Sequence, residues 1–413
     1  MGREKSTIAN IFYNSFGTIF YYGCQWLTTV LIVRMSGMYN AGVYATAMTF
    51  TAALSIFALY NTRQYQVSDV TGEYSDKTYI SSRLIAVVIA VLTCGAALLF
   101  NNYNSYQWKV ILIYMVFKCG EAVIDVFHGI DQKKERMDYV CYSFLIRGIL
   151  MLASFCGFIY ATGNLIYAIT GMMVTTFLVA VFYDFQIAKG FMDKNERFTL
   201  SSVRRLMISL LPLVVVAVTN NLSISLPRYY LDQFYGSEIM GYFASVSTPA
   251  MILQVGAATI FIPLITPLAT RYAANDRAGF VAILKKVAIV LGGLSFLAIL
   301  ASALLGDWFL VLIFGEELVP FTYLFVPVII ATLLISVNAC LFPICTLFRE
   351  IRGQLFVGVG GAVVSFAASV FFVRQFSMDG VVISLVITLI FQILIEIYLI
   401  YRMMKKWKGT NNG

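Results

Sequence analysis

The stretch VVISLVITLIFQILIEI, at Val381–Ile397, decides the fold class of this chain. It is apolar almost without interruption, and so is ILIYMVF at Ile111–Phe117. Strands of a membrane barrel would instead alternate apolar and polar residues over about ten positions. Apolar runs of ~20 residues recur along the chain. An α-helix of this length crosses ~30 Å of hydrocarbon. Because lipid offers no hydrogen-bond partner to the backbone, the sequence predicts membrane-spanning helices.

The composition excludes a soluble protein. The 413 residues are 60% hydrophobic and 12% charged, with a mean hydropathy of +0.82. Soluble domains carry roughly 25% charged residues, so this chain has too few charges to cover a water-facing surface. Its net charge of +8 is interpreted as positive cytoplasmic loops, and no nucleic-acid partner is expected.

The apolar runs predict an all-α polytopic membrane protein with about twelve spans. We predict spans over residues 8–33, 40–61, 84–100, 110–127, 139–160, 164–187, 206–226, 241–268, 287–305, 320–347, 355–373 and 380–401. Of the 29 Lys and Arg residues, 23 then fall on the side that holds both termini and four on the opposite side. The positive-inside rule therefore places both termini in the cytoplasm.

Two octapeptides suggest an internal repeat. GVYATAMT at Gly42–Thr49 opens span two and GYFASVST at Gly241–Thr248 opens span eight, and Arg34 and Arg228 precede them at the outer face. Transporters often contain two such halves, with the substrate site where they meet. The predicted domains are an N-terminal six-helix bundle over 1–187, a cytoplasmic linker over 188–205 and a C-terminal six-helix bundle over 206–413.

Charged residues inside the predicted spans are candidate functional groups, because a charge at mid-bilayer usually faces protein or a wet cavity. Lys118, Glu121 and Asp125 share one face of span four, and Arg147 lies at a similar depth in span five. They form either a buried ion-pair cluster that fixes helix packing or the polar lining of a central cavity. His128 stands at the cytoplasmic boundary, where we expect it to be solvated.

Polar stripes accompany these charges in the first span of each half. They comprise Asn10, Asn14, Tyr21, Gln25 and Thr28 in span one, and Asn220, Asn221, Ser223 and Ser225 in span seven. One interpretation is polar contact between helices. The other is a shared cavity, for which Asn14, Gln25, Asn220 and Asn221 are the predicted polar lining residues.

Enzymatic motifs are absent from the sequence. It contains no Gly-x-x-x-x-Gly-Lys-Ser/Thr, His-Glu-x-x-His or Gly-x-Ser-x-Gly, and no loop long enough for a catalytic domain. The seven cysteines include no Cys-x-x-Cys pair, so neither disulfides nor a metal site is expected. We expect no enzyme activity and no cofactor, apart from H⁺ or Na⁺ as a coupling ion.

Three stretches carry a resemblance to a known family. They are RQYQVSDVTGEYS at residues 63–75, followed by Tyr79 and Arg83, then LIRGI at Leu145–Ile149 and LIFGEE at Leu312–Glu317. The chain resembles the Wzx-type polysaccharide repeat-unit flippases of bacterial capsule and O-antigen pathways. These belong to the multidrug/oligosaccharidyl-lipid/polysaccharide (MOP) superfamily, and the similarity covers the chain in length and topology.

The resemblance implies a V-shaped, MATE-like pair of six-helix bundles around a cationic cavity. It implies an undecaprenyl-pyrophosphate-linked oligosaccharide as cargo, moved by alternating access across the bacterial cytoplasmic membrane. Membrane lipids, a polysaccharide polymerase and glycosyltransferases of the same pathway are the expected partners.

The implied cargo agrees with the charge pattern, because arginine binds phosphate oxygens in a bidentate manner. The cations in or beside the predicted helices are Arg34, Arg63, Lys118, Arg147 and Arg228. Arg63, at the cytoplasmic end of span two, is placed to meet an entering headgroup. Its alternative role is an ordinary positive flank of a span.

A cation-coupled multidrug exporter of the same superfamily is the main alternative function. It would need carboxylates within the membrane, and Glu121, Asp125 and Glu396 are available. For either function, Glu121 or Asp125 is the predicted group that couples transport to an H⁺ or Na⁺ gradient. The competing explanation is that both carboxylates only neutralise neighbouring cations.

Overall fold

The structure, a computed structural model, describes residues 7–69, 72–192, 199–261, 264–348 and 350–407, and within them it contains helices and turns but no strand. The helices are α1 (Thr7–Leu59), α2 (Thr62–Ser68), α3 (Asp76–Leu99), α4 (Ser105–Lys133), α5 (Met137–Thr162), α6 (Leu165–Val179), α7 (Phe185–Phe191), α8 (Leu200–Ser247), α9 (Met251–Phe261), α10 (Ile265–Ala273), α11 (Arg277–Phe314), α12 (Phe325–Leu347), α13 (Ile351–Ala368) and α14 (Arg374–Lys406). Two π-helical segments, Ala180–Asp184 and Ser369–Val373, join α6 to α7 and α13 to α14. Two 3₁₀ segments, Thr248–Ala250 and Glu316–Leu324, precede α9 and α12. The predicted all-α class is confirmed.

Eight helical stretches of the described residues are long and apolar enough to cross a membrane. The three longest are Ala9–Ser68, Leu200–Gln254 and Arg352–Lys406, with 60, 55 and 55 residues. At 1.5 Å per residue each would measure ~80–90 Å, nearly three times the thickness of the hydrocarbon. Non-helical backbone at Gly37, Gly236 and Ser377 divides them. Each of the three therefore provides two passes.

The helix α4 provides one more pass, although its composition is less apolar. Its 29 residues are long enough to cross the bilayer, but Lys118, Glu121 and Asp125 lower its hydropathy. With α4 included, the described residues contain the twelve passes that the sequence predicts. The pass with the most internal charge is thus the one that hydropathy alone would miss.

The kinks at Gly37 and Gly236 support the internal repeat. Their φ angles are 79° and 81° and their ψ angles 174° and 172°, a conformation that side chains disfavour. Each kink stands five residues before the glycine that opens a matched octapeptide, Gly42 or Gly241. The two halves therefore share a backbone feature as well as a short sequence.

The chain divides into two compact units, unit 1 (Met1–Asn221) and unit 2 (Leu222–Gly413). In unit 1, α1 packs against α4 and α5, α5 against α6, and α3 against α4. The first residues of α8 belong to this unit, since Leu206 and Val214 lie in a core cluster with Tyr79. The predicted linker, 188–205, includes residues 193–198, which lie outside the described residues, and α7 and α8 border them.

Unit 2 is built around α14, which packs against α12 and α13, while α12 also contacts α9 and α11. Hydrogen bonds connect the start of this unit to the same helices: Ser365 Oγ donates to the carbonyl oxygen of Ser223 at 2.6 Å. A separate cluster around Phe280, Phe348 and Trp407 closes the end of the unit where α11 begins.

Candidate functional site

The helix α4 carries the predicted charged stripe of span four. An Asn104 capping box with Gln107 fixes the start of the helix, because it satisfies backbone N–H groups that have no partner within the helix. Lys118, Glu121 and Asp125 then follow at three- and four-residue intervals and share one face. Two separate charge networks are built on this face.

The Glu121 network comprises Lys118, Glu121, Arg147, Tyr21 and Gln25. Lys118 Nζ pairs with Glu121 Oε2, and Arg147 Nη2 lies 3.9 Å from Oε1. The Tyr21 hydroxyl donates to Oε1, and Gln25 Nε2 donates to the same oxygen at 3.1 Å. Two cations share one carboxylate, so the network keeps one positive charge in excess.

Arg147 is the deeper of the two cations. Its side chain is 4% exposed and its guanidinium carbon lies 3.9 Å from the centre of the Tyr21 ring and 5.2 Å from that of Phe144. Such cation–π contacts stabilise a buried guanidinium. Lys118 is 27% exposed and reaches the surface of unit 1. That the two side chains line a transport cavity stays a prediction.

The Asp125 network comprises Arg63, Arg83, Asp125 and Gln132. Arg63 Nη1 lies 3.0 Å from Oδ1 of Asp125, and Arg83 Nη2 lies 2.8 Å from Oδ2. Arg63 Nη2 also donates to Gln132 Oε1 at 2.9 Å, and Arg83 Nη1 donates to the carbonyl oxygen of Ala58 at 3.0 Å. Arg83 therefore satisfies a carbonyl at the end of α1 while it neutralises Asp125.

Arg83 is the network member that sequence reasoning missed. It lies between predicted spans two and three, on the side that holds both termini, yet its side chain is 0% exposed. The one signal in the sequence was its place in the stretch that carries the family resemblance. Arg63 is predicted to contact the headgroup. Its ion pair with Asp125 distinguishes it from a solvent-exposed arginine that merely follows a membrane span.

A third cluster joins α4 to the π-helical segment before α7. His128 Nε2 lies 3.1 Å from Asp184 Oδ1, and both side chains are buried. The expected solvation of His128 is therefore wrong, because Asp184 and the surrounding helices cover it. Within the described residues, Asp184 Oδ2 and Asp131 Oδ1 are buried and lack hydrogen-bond partners. Asp131 stands three residues after His128, but nothing in the sequence links Asp184 to them.

Arg34 and Arg228 occupy different environments. Arg34 is exposed on α1, three residues before the kink at Gly37. Arg228 is half-buried on α8, and the structure gives it no hydrogen bond or ion pair with any described residue. Its nearest ring is Phe243, with 5.8 Å from the guanidinium carbon to the ring centre. No acidic side chain of the described residues therefore lies within ion-pair distance of Arg228.

Of the four predicted polar lining residues, the structure brings Gln25 to the Glu121 network. Asn14, Asn220 and Asn221 are half-buried on α1 and α8, and their lining role stays a prediction. Across the described ranges, no three His, Cys, Asp or Glu side chains gather as a metal site would require. The seven cysteines are all free thiols.

Comparisons with known proteins agree with this architecture. A sequence model described as polysaccharide biosynthesis protein matches residues 7–273, more than half of the chain. The capsular polysaccharide biosynthesis protein CapF of Staphylococcus aureus is 24% identical over 302 residues, which cover 71% of this chain and 74% of CapF.

Solved structures with the same fold are transporters. An inward-facing MATE family multidrug transporter of the MOP superfamily has a TM-score of 0.70 at 14% identity, over 99% of this chain and 97% of its own. Its outward-facing counterpart has a TM-score of 0.63 at 12% identity, over 98% and 96%. A MOP superfamily transporter from Pyrococcus furiosus, described as having a binding pocket of reverse polarity, has a TM-score of 0.66 at 12% identity, over 98% and 96%.

Fold and sequence together define a class, the multi-pass α-helical membrane proteins with the fold seen in MATE transporters. The chain belongs to the polysaccharide biosynthesis protein family. The predicted resemblance to polysaccharide flippases of this superfamily is thereby confirmed, and so is the MATE-like fold.

Proposed function

We propose that this protein is a flippase for undecaprenyl-pyrophosphate-linked oligosaccharide repeat units. It moves them by alternating access across the bacterial cytoplasmic membrane, for the biosynthesis of capsule, O-antigen or exopolysaccharide. Membership of the polysaccharide biosynthesis family supports the glycan part of this proposal. The likeness to MATE transporters supports transport as the activity.

The single observation that carries the proposal is the grouping of cations around few carboxylates on the face of α4, together with the unpaired Arg228. Glu121 and Asp125 each contact two cations, and Arg228 has no acidic partner among the described residues. Uncompensated positive charge within a membrane protein is costly and usually serves a function. An anionic pyrophosphate headgroup is a ligand that would neutralise this charge.

The predicted cations follow the route that such a headgroup would take. Arg63 meets the pyrophosphate at the cytoplasmic end of span two, and Lys118 and Arg147 receive it at mid-depth. Arg34 and Arg228 act towards the outer face, while Asn14, Gln25, Asn220 and Asn221 offer hydrogen bonds to the glycan. This order follows from the positive-inside rule, which places both termini in the cytoplasm.

A cation-coupled multidrug exporter is the second candidate function, favoured by the MATE family neighbours. Exporters of cationic drugs would need a net negative site. In both networks of unit 1, two cations contact one carboxylate. A positively charged site of this kind favours the glycan flippase. The expected partners of the flippase are membrane lipids, a polysaccharide polymerase and glycosyltransferases.

The predicted coupling through Glu121 or Asp125 remains a proposal. Ion pairs with two cations each stabilise the charged form of both carboxylates, and this favours the competing explanation that they only neutralise their neighbours. Without a phosphate-binding loop for ATP, the driving force is an H⁺ or Na⁺ gradient. A membrane potential supplies about 2.3 kcal/mol per charge for each 100 mV.

Deletion of the gene in the source bacterium tests the function. The flippase predicts that surface polysaccharide is lost and that lipid-linked intermediates accumulate with their glycans facing the cytoplasm. Both effects are reversed when the wild-type gene is restored. Normal surface polysaccharide without these intermediates would refute the proposal.

The same strain distinguishes the alternative. A multidrug exporter predicts greater sensitivity to lipophilic cations and normal polysaccharide. The flippase predicts that the minimal inhibitory concentrations of these compounds stay the same.

A further inference from the structure

A buried polar column runs along α14 in unit 2. It consists of Ser384, Thr388, Gln392 and Glu396, which follow at four-residue intervals and therefore lie on one stripe of the helix. All four side chains are at most 1% exposed. In a membrane-spanning helix such a row is costly unless each polar group has a role.

The packing of unit 2 is fitted to this column. Asn338 Nδ2 donates to Gln392 Oε1 at 3.3 Å, and Gln392 Nε2 donates to Ser223 Oγ at 3.4 Å. A Cβ atom at Gly361 would overlap the Gln392 amide in its present position, so the glycine leaves room for this side chain. Three other helices, α8, α12 and α13, thus accommodate the middle of the column.

Glu396 stands at one end of the column and differs from the other members. It is 1% exposed, its Oε2 is buried, and the structure gives its carboxyl group no hydrogen bond or ion pair with any described residue. Its surroundings are the apolar cluster of Cys345, Val357 and Leu399. An ionised carboxylate without a counter-charge in apolar surroundings costs several kcal/mol, so the group takes up a proton instead.

The titratable groups near Glu396 do not change this conclusion. On α12 the facing group is the Cys345 thiol, which interacts electrostatically with both Glu396 and Glu350. Arg352 is the charged residue of α13 and Arg402 the next one after Glu396 on α14, and both are exposed. None of them offers the buried positive charge that an ionised Glu396 would require.

A metal cation fits this site less well than a proton. Hard cations bind about six or more oxygen ligands, whereas the side chains packed near Glu396 include a thiol and hydrocarbon groups, and the Gln392 amide lies one helical turn away. Among the described residues, no group of three His, Cys, Asp or Glu side chains surrounds it. A proton needs one carboxylate oxygen and a path, and the column provides hydroxyl and amide groups in sequence.

We propose that Glu396 is a proton-binding site of unit 2, reached along the polar column, and that its proton is the coupling ion of the transport cycle. Binding forms an O–H bond on the carboxylate, and the proton comes from a hydronium ion, which is left as water. The coupling part depends on the proposed transport function. The proton site itself does not, and the following test examines it separately.

Infrared spectroscopy of the purified protein in lipid tests the site. At neutral pH the spectrum of the wild type minus that of Glu396→Gln shows the C=O stretching band of a protonated carboxylic acid, because the subtraction cancels any band from other buried carboxyl groups such as Asp131. Glu121→Gln leaves it in place because Glu121 is ionised between two cations, and Glu317→Gln leaves it because Glu317 is exposed. Unfolding midpoints of all four proteins establish that the variants are folded.

Two results would overturn the site. A spectrum that Glu396→Gln does not change would mean that Glu396 carries no proton. Loss of the band when Na⁺ is added at constant pH would mean that the site takes a metal cation. A protein that keeps the band but moves no glycan would leave the proton site intact and refute only the transport function.

Deuterium exchange of the same band tests the path. Thr388→Val keeps the shape of the side chain but removes a hydroxyl from the column, so we expect slower exchange at Glu396, by about tenfold. Thr175→Val in unit 1 is the matched control, because its hydroxyl also bonds the carbonyl four residues earlier. Equal exchange rates in the two variants would exclude the column as the route.

Discussion

The charges on α4 in unit 1 and those on α8 and α14 in unit 2 are held in different ways. In unit 1, Glu121 and Asp125 each contact two cations, and the networks tie α4 to α1, α3 and α5. In unit 2, Arg228 and Glu396 have no ion-pair partner among the described residues. Removing one member of a buried ion pair leaves its partner as an uncompensated buried charge, and this destabilises the folded protein. A single buried charge is instead available to a ligand or a proton.

The largest expected effect is the loss of Arg83 from unit 1. Arg83→Met leaves Asp125 with one cation and leaves the carbonyl of Ala58 without its donor. Breaking a buried pair of this kind costs about 3–5 kcal/mol. We expect the free energy of unfolding, measured in lipid, to fall by that amount.

Arg204→Met is the control for this prediction, because Arg204 is exposed near the start of α8. Surface substitutions usually change stability by less than about 0.5 kcal/mol. If the two variants were equally stable, the Asp125 network would not hold unit 1 together.

The second effect concerns the single cation of unit 2. Arg228→Met removes a group that makes no hydrogen bond or ion pair with a described residue, so we expect little change in stability. A charge-assisted hydrogen bond to phosphate contributes about 1.5–3 kcal/mol, which corresponds to at least about tenfold in affinity. Flipping of lipid-linked glycan in proteoliposomes at low substrate should therefore fall by at least about tenfold.

Arg374→Met provides the comparison for Arg228, because Arg374 is also in unit 2 but exposed. Its flipping rate should stay close to that of the wild type. A stable Arg228→Met protein with wild-type flipping would contradict the role of the unpaired cation.

A smaller effect separates neutralisation from coupling in unit 1. If Glu121 only compensates Lys118, the double variant Lys118→Met with Glu121→Gln removes both charges together and should keep flipping within about threefold of the wild type. Rates are measured with and without an imposed H⁺ or Na⁺ gradient. A double variant that flips but no longer responds to the gradient would identify Glu121 as the coupling group.

The smallest effect lies in the loop between α10 and α11. The backbone N–H of Gly279 and the Arg271 guanidinium lower the pKa of Asp276. Because the folded-state pKa is depressed, this stabilisation is present above the unfolded pKa of about 4. It is lost as the pH falls through the folded value.

Asp276→Ala should therefore lower the unfolding midpoint slightly at neutral pH, and the difference from the wild type should shrink towards acidic pH. Glu317→Ala, at another exposed carboxylate, is the control. A difference that grows on acidification would contradict the assignment.

Much of the fold could be predicted from the sequence, because lipid imposes helices of known length on apolar runs. The stripe of Lys118, Glu121 and Asp125 could be predicted for the same kind of reason, since helical periodicity alone places the three on one face. Gln25 also followed from the periodicity of α1, although its partner Glu121 did not.

The remaining members of the site could not be predicted, because their partners are distant in sequence. Arg83 resembles any other loop arginine until α3 brings it to Asp125 and to the end of α1. Asp184 contacts His128 because it lies in the π-helical segment Ala180–Asp184, and the hydrophobic pattern of the sequence does not predict such a segment. The isolation of Glu396 is equally invisible in a sequence, since it depends on what the neighbouring helices do not supply.

The central claim is that excess positive charge inside the helices binds an anionic headgroup. Equilibrium binding of undecaprenyl pyrophosphate and of the uncharged undecaprenol to the purified wild type tests it most directly. Two charge-assisted phosphate contacts predict that the pyrophosphate binds at least about a hundredfold more tightly, with a preference that weakens as salt is added. Equal affinity for the two lipids at low salt would contradict the account.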